Sequence, residues 1–301
     1  MKRLLPITAA TLACIPLAAQ EQPAKPTVTA VAGIRLLAED LEKSREFYGK
    51  ELGLRECHSD AVLCFLVNPI QKIEVEPLGR EKMQNRLVFI AFATRNAVAL
   101  RQSLAHAGIQ VGDQITQPDG TKFFEVLDPE GHAVRFVEYL RRPLLTKTDQ
   151  EVRVSTEIIH VGYVVRDRTA MDHFYRDVLG FRMYWHGGMK DDETSWVAMQ
   201  VSDRHGTEWL EYMLNISPTA DKHTLGVMNH IALGVTDIHA TQQQLIKNGW
   251  KPGEEPKLGR DGKWQLNLYD PDDTRIEFME FTPKEKPCCS EFTGPHPGPK
   301  Q

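Results

Sequence analysis

The sequence predicts an α+β protein of two similar halves, each assembled from two strand-helix-strand-strand-strand modules. Three observations carry this expectation. The segment 40–53 recurs as 167–180, with Asp40, Phe47, Tyr48, Leu52 and Gly53 returning as Asp167, Phe174, Tyr175, Leu179 and Gly180, all displaced by 127. Leu104 and Gly108 return as Leu245 and Gly249, displaced by 141, and Asp128-Pro129 as Asp270-Pro271, displaced by 142. Within each half a β-branched strand followed by a capped helix starts twice.

Taken in order, Lys2 and Arg3 precede an uncharged, mostly apolar stretch, 4–19, which ends in Leu17-Ala18-Ala19 and gives way to polar residues. This is the layout of a secretory signal peptide, so residues 1–19 are expected to be removed and the protein exported, to the periplasm or beyond. A membrane anchor is disfavoured because the run is shorter than about 20 residues and contains Pro6 and Pro16. Cys14 leaves a lipid-anchored form as the alternative, although Thr11-Leu12-Ala13 is a poor lipidation box. The first half spans 28–140 and the second 156–282. In the second, 158–165 alternates as a half-buried strand does. Asp167 is placed to cap the next helix, whose Phe174, Val178 and Leu179 share a face and which Gly180 stops. Strands at 195–201 and 207–214 follow. The order restarts at 228–235, passes through a helix at 237–248 and closes with strands at 264–269 and 275–281. The Pro- and Gly-rich remainder, 283–301, reads as a mobile tail.

The composition excludes several classes. With 36 Lys+Arg against 41 Asp+Glu, net charge −5, and 41% hydrophobic residues, the chain is neither a disordered segment nor a basic nucleic-acid binder. Neither nucleic acid nor, beyond the lipid-anchor alternative, a membrane is an expected partner, and the halves are compatible with a homodimer. Export changes how the cysteines read: Cys57, Cys64, Cys288 and Cys289 remain, an even number in an oxidising compartment. Either a hairpin disulfide between Cys57 and Cys64 or free thiols fits. Adjacent cysteines such as Cys288-Cys289 bridge each other only with strain.

Helix ends reading Phe-Tyr-x-x-x-Leu-Gly-Phe, final hairpins reading Asp-Pro-Asp-x-x-x-Ile-Glu-Phe and the fourfold module order together resemble the vicinal oxygen chelate (VOC) superfamily, which includes glyoxalase I, bleomycin resistance proteins and extradiol dioxygenases. The resemblance spans roughly 28–282. It implies two glyoxalase-like VOC domains with curled mixed sheets whose concave faces hold a metal or ligand. In that superfamily ligands come from the first and last strands of a module, positions read here as His160 and Glu211, 51 apart, and His230 and Glu277, 47 apart. Two imidazoles and two carboxylates suit one divalent ion: zinc, nickel, cobalt, manganese or iron(II). Glu208 and Glu280 are the nearby rivals. His173, His239 and His205 read as solvated, 186–189 as a loop beside the site, and Trp196, Tyr212 and Tyr269 as pocket walls or core.

The first half serves as an internal control. The same displacements carry His160 to Gly33, His230 to Val88 and Glu277 to Arg135, leaving only Glu74 near the place of Glu211, so the first half should be structural. All four candidates lie in modules three and four, which must therefore pair, within one chain or by exchange. What the resemblance implies about function is a metal-dependent lyase or isomerase that passes a small oxygen-chelating substrate through an enediolate, with Glu277 or Glu211 as general base. One alternative is an extradiol ring-cleaving dioxygenase using His160, His230 and Glu277, although 262–268 lacks the histidine of that motif. The other is a binding protein without catalysis.

Overall fold

In a computed structural model, which describes residues 27–57, 59, 62–79, 85–140 and 153–299, the strands form two eight-stranded mixed sheets. The expected signal peptide, 1–19, and Cys14 lie outside the described residues. Among the described residues no helix is long and apolar enough to cross a membrane. The first half runs β1 (Val28–Ala38), α1 (Leu41–Arg45, continued by a π-helical turn, Glu46–Glu51), β2 (Arg55–Glu56), β3 (Leu63–Asn68) and β4 (Gln71–Pro77). It then runs β5 (Leu87–Thr94), α2 (Ala97–His106), β6 (Ile115–Thr116), β7 (Lys122–Leu127) and β8 (Ala133–Glu138). The second half repeats this with β9 (Glu157–Val164), α3 (Arg168–Asp172, with its π-helical turn His173–Val178), β10 (Arg182–Gly187), β11 (Trp196–Gln200) and β12 (Trp209–Met213). A connecting helix without sequence warning, α4 (Lys222–Met228), leads to β13 (His230–Val235), α5 (Ile238–Asn248), β14 (Lys257–Leu258), β15 (Trp264–Tyr269) and β16 (Arg275–Glu280).

The strand order is the same in both sheets: β2-β3-β4-β1-β5-β8-β7-β6 and β10-β11-β12-β9-β13-β16-β15-β14. The first strands of two modules pair antiparallel in the middle, and each is flanked by the last strand of its own module in parallel. Modules three and four therefore pair within one chain. The helices start where the sequence says. Asp40 Oδ1 accepts the N–H of Glu42 and Lys43, and Asp167 Oδ1 that of Ala170, filling donors a helix start leaves open.

The repeated motifs turn out to meet each other across the two halves. Asp270 Oδ1 accepts the N–H groups of Asp272 and Thr274 within its own turn, while Oδ2 accepts the Tyr48 hydroxyl at 2.8 Å. In the mirror position Asp128 Oδ1 holds Glu130 and His132, while Oδ2 accepts from Tyr163 at 2.9 Å with the Tyr175 hydroxyl at 3.4 Å. The Phe-Tyr helix of each half is thus fastened to the Asp-Pro turn of the other. Gln71 adds a second clasp: its amide donates to Ile158 O and accepts from Ile158 N, both at 2.8 Å, as a strand would. One apolar core draws on both halves, with Phe92 and Phe181 in edge contact at 5.3 Å.

One expectation is corrected here. The chain after 282 does not trail away: Trp185 donates to Cys288 O, Gln200 to Pro295 O at 2.7 Å, and Tyr184 meets His296 Nδ1 at 2.5 Å. Residues 283–299 lie along the β10 side of the second sheet because that edge offers unpaired backbone and aromatic surface to which Phe292 adds its own ring. The cysteines also pair, Cys57 with Cys64 and Cys288 with its neighbour Cys289.

The crosswise fastening yields a stability prediction. Tyr48→Phe deprives the buried Asp270 of its hydroxyl donor and is expected to cost about 1–3 kcal/mol. Tyr175→Phe leaves Tyr163 on Asp128 and should cost less. Urea denaturation of both variants checks this, and equal costs would remove the account.

Candidate metal centre

The second sheet curls so that alternate residues of its strands face one cavity of about 280 Å³. Strand periodicity decides which residues face it: Trp196 and Ala198 from β11, Trp209 and Glu211 from β12, Gln265 and Asn267 from β15, and Arg275, Glu277 and Met279 from β16. At the cavity floor the two central strands bring His160 and His230 together. Their Nε2 atoms are 3.0 Å apart, and both residues are fully buried. Glu211 Oε2 lies 3.6 Å from His160 Nε2 and 3.4 Å from His230 Nε2, and Glu277 Oε2 lies 3.7 and 3.5 Å from the same atoms.

Local structure explains why these side chains converge. β9 carries a bulge at Ile159, since Ala232 faces His160 while the next partner, Leu233, faces Ile158, and such a bulge re-aims the neighbouring side chain. His230 pairs with Gly162, and its ring lies where a side chain at 162 would stand: an added Cβ would be 2.2 Å from the imidazole. The His230 Nδ1–H donates to Met228 O at 3.0 Å, which turns the Nε2 lone pair toward the cluster. His160 is held by its ring against Trp209, 4.7 Å between centroids.

The donor chemistry fits a divalent ion. Burial holds both imidazoles well below the ordinary histidine pKa, so they are neutral donors at pH 7. Burial likewise pushes the Glu277 carboxyl up to about 7, a cost that a bound cation would relieve. At 3.4–3.7 Å the carboxylates are too far from the imidazoles for hydrogen bonds, yet donors about 2.1 Å from one shared ion lie some 3.0–3.4 Å from one another. One ligand atom each from His160, Glu211 and His230 falls within 4.8 Å of the others, and Glu277 Oε2 stands beside both imidazoles.

The rivals are excluded by strand parity and by their partners. Glu208 and Glu280 each stand an odd number of residues from the candidates, on the opposite face. Glu208 accepts from Thr207 N, while Glu280 accepts the N–H of Ile238 at the start of α5 and pairs with Lys284. Met189 and Trp196 line the cavity, but Tyr212 is buried on the other face with its hydroxyl on Met171 O, and Tyr269 lies at a strand end bonded to Glu254. His186 belongs to β10 rather than to a loop. His173, His205 and His239 are exposed.

Sequence reasoning missed Lys263 and Arg275, which also line the cavity. Both were legible, since Lys263, Gln265 and Asn267 alternate along one face and Arg275 precedes Glu277 by two. In the first half, pairing registers match Gly33, Glu74 and Arg135 to His160, Glu211 and Glu277, as expected. They match His230 to Phe89 rather than Val88, because Phe89 faces Arg35 as His230 faces Gly162.

Comparison with known proteins agrees with this fold. Three solved structures resemble the chain over most of its length. The Mn(II)-bound glyoxalase from Novosphingobium aromaticivorans has a TM-score of 0.65 at 18% identity, covering 85% of this chain and 83% of its own. The 2,3-dioxygenase LapB from Pseudomonas sp. KL28 has a TM-score of 0.65 at 15% identity, covering 92% and 96%. Homoprotocatechuate 2,3-dioxygenase from Brevibacterium fuscum has a TM-score of 0.64 at 19% identity, covering 85% and 82%. At such identities the likeness is one of fold. No curated protein matches the chain. Residues 157–278, the stretch that carries His160, Glu211, His230 and Glu277, match the family model described as Glyoxalase/Bleomycin resistance protein/Dioxygenase superfamily.

Proposed function

We propose that the second half is a divalent-metal enzyme of the lyase or isomerase type, acting on a small substrate with two neighbouring oxygens, and that the first half is its scaffold. The observation that carries this reading is the convergence of four donors, rather than three, on the floor of an aromatic cavity. A divalent ion held by His160, Glu211, His230 and Glu277 would act as a Lewis acid toward the substrate oxygens. Glu277 or Glu211 would act as the general base, taking a proton from the carbon beside those oxygens and returning it. The aromatic walls and the covering tail keep bulk water from the reacting carbon.

A second reading, ring cleavage by an extradiol-type dioxygenase through His160, His230 and Glu277, is supported by the chain-length likeness to the two 2,3-dioxygenases. Glu211 counts against it, because it stands as near the imidazoles as Glu277 does. We also place the protein outside the cytoplasm, on the reading of residues 1–19 and on the pairing of all four remaining cysteines.

Three outcomes are expected. Purified protein should hold stoichiometric divalent metal by elemental analysis, with trace amounts in His160→Ala and markedly less in Glu211→Gln. Unchanged metal in Glu211→Gln would remove the four-donor reading, and oxygen uptake on catechols would favour the dioxygenase. Gly162→Ala should fold with wild-type secondary structure and yet lose metal, since the new methyl displaces the His230 ring; retained metal would show that this close approach is not required. After expression of the full chain, N-terminal sequencing of the periplasmic fraction should begin at residue 20, whereas an intact chain confined to the cytosol would rule out export.

A further inference from the structure

Lys263 is an unusual cation. It is fully buried, and its Nζ has one hydrogen-bond partner among the described residues, the Tyr184 hydroxyl at 3.5 Å. Around it stand aromatic faces: Trp209 at 4.8 Å, Phe292 of the C-terminal segment at 5.3 Å and Tyr184 at 5.5 Å. Asp261, Glu277 and Glu211 act on it only through space, without ion pairs. An ammonium has three donors to satisfy, and a buried one left short of acceptors is costly. Arg275 stands on the same cavity wall with its Nε buried and unpartnered and its Nη2 3.7 Å from Glu277. Two further cations, Lys257 and Arg260, line the same cavity, each already paired, with Glu254 and Asp191.

We infer that Lys263, assisted by Arg275, is a binding subsite for an anionic group, so that the substrate is a small organic carboxylate with a flat, apolar body. The charge count of the cavity supports this. If Glu211 and Glu277 are committed to a divalent ion, Lys257, Arg260, Lys263 and Arg275 face a lining whose one remaining carboxylate is Asp261. A carboxylate would supply the missing acceptors of Lys263 and the Arg275 Nε, while a planar body would lie against Trp196, Trp209 and Phe292. The inference rests on the proposed metal site for which end of the substrate reacts, but not for the binding of the anion.

The test uses the full-length protein and two probes of one shape, phenylacetate and the uncharged phenylacetamide, with binding read from quenching of the cavity tryptophans. The wild type should prefer phenylacetate by about ten-fold or more, the range expected for a charge-assisted pair. Lys263→Met should abolish that preference with metal content unchanged, and Lys263→Arg should restore it. No preference in the wild type, or a preference that survives Lys263→Met, overturns the subsite. His160→Ala separates the two readings: wild-type metal content in that variant sinks the metal site, whereas a persisting Lys263-dependent preference in metal-depleted protein upholds the subsite alone.

Discussion

The second half depends on the antiparallel pairing of β9 with β13. That pairing sets His230 opposite Gly162 and Ala232 opposite His160, so that two histidines 70 residues apart meet nitrogen to nitrogen. Each central strand then receives the last strand of its own module in parallel, which delivers Glu211 beside Gly162 and Glu277 beside Ala232. The cluster is therefore a product of register. A slip of one residue in any of the three pairings would turn a donor to the opposite face of the sheet, and the apolar core behind the sheet opposes that slip.

The first half shows what the same scaffold becomes without that geometry. Gly33, at the place of His160, has no side chain and a φ of +146°, and its pairing with Lys72 is so close that an added Cβ would be 1.9 Å from Lys72 O. Arg35 stands where Gly162 makes room for an imidazole. Its guanidinium bonds Glu74 at 2.7 Å, while Lys72 pairs with the same carboxylate. The Phe89 ring, at the place of His230, is flanked by Arg35 and Arg135 at 4.8 and 3.9 Å. Three protein cations, Arg35, Lys72 and Arg135, thus line the equivalent cavity, the first two answer Glu74, and among the described residues no cluster of ion donors like that of the second half converges there. Its covering alanines, Ala30, Ala32, Ala91 and Ala93, complete a plain apolar surface.

How much of this was legible in the sequence follows from what each signal encodes. Repeated residues and strand alternation report local structure, and they located the modules and the helix caps, while His160, Glu211, His230 and Glu277 were read from the family resemblance. The displacement rule went wrong only at His230, where the two halves differ by one residue in spacing between β5 and β8 and between β13 and β16; the displacement of 141 seen at Leu245 and Gly249, rather than the 142 of the Asp-Pro turn, applies there, and the pairing registers settle it. The Tyr48 to Asp270 and Tyr163 to Asp128 bonds were invisible because a repeat announces equivalent residues, not which copy touches which. The tail misled for a related reason. Proline and glycine say that 283–299 is neither helix nor strand, but they are silent on whether a neighbouring surface gives that segment partners.

The surface that binds the tail is part of the site. Phe292 packs near Tyr184 and Trp185 and forms one of the aromatic walls around Lys263, while Arg260, whose Nε bonds Gly188 O, also accepts at its carbonyl the N–H of Cys288. The C-terminal segment is consequently held from both sides of the cavity mouth, by β10 and by the chain before β15. Trapping a lysine under a phenylalanine in this way lowers its pKa to about 8 through burial, yet leaves it mostly protonated at neutral pH. A positive charge kept from solvent attracts an incoming anion more strongly than the same charge in water. The segment that reads as loose in sequence therefore helps shield the site from solvent, and the floor with its two imidazoles and two carboxylates and the wall with Lys263 become two ends of one enclosure.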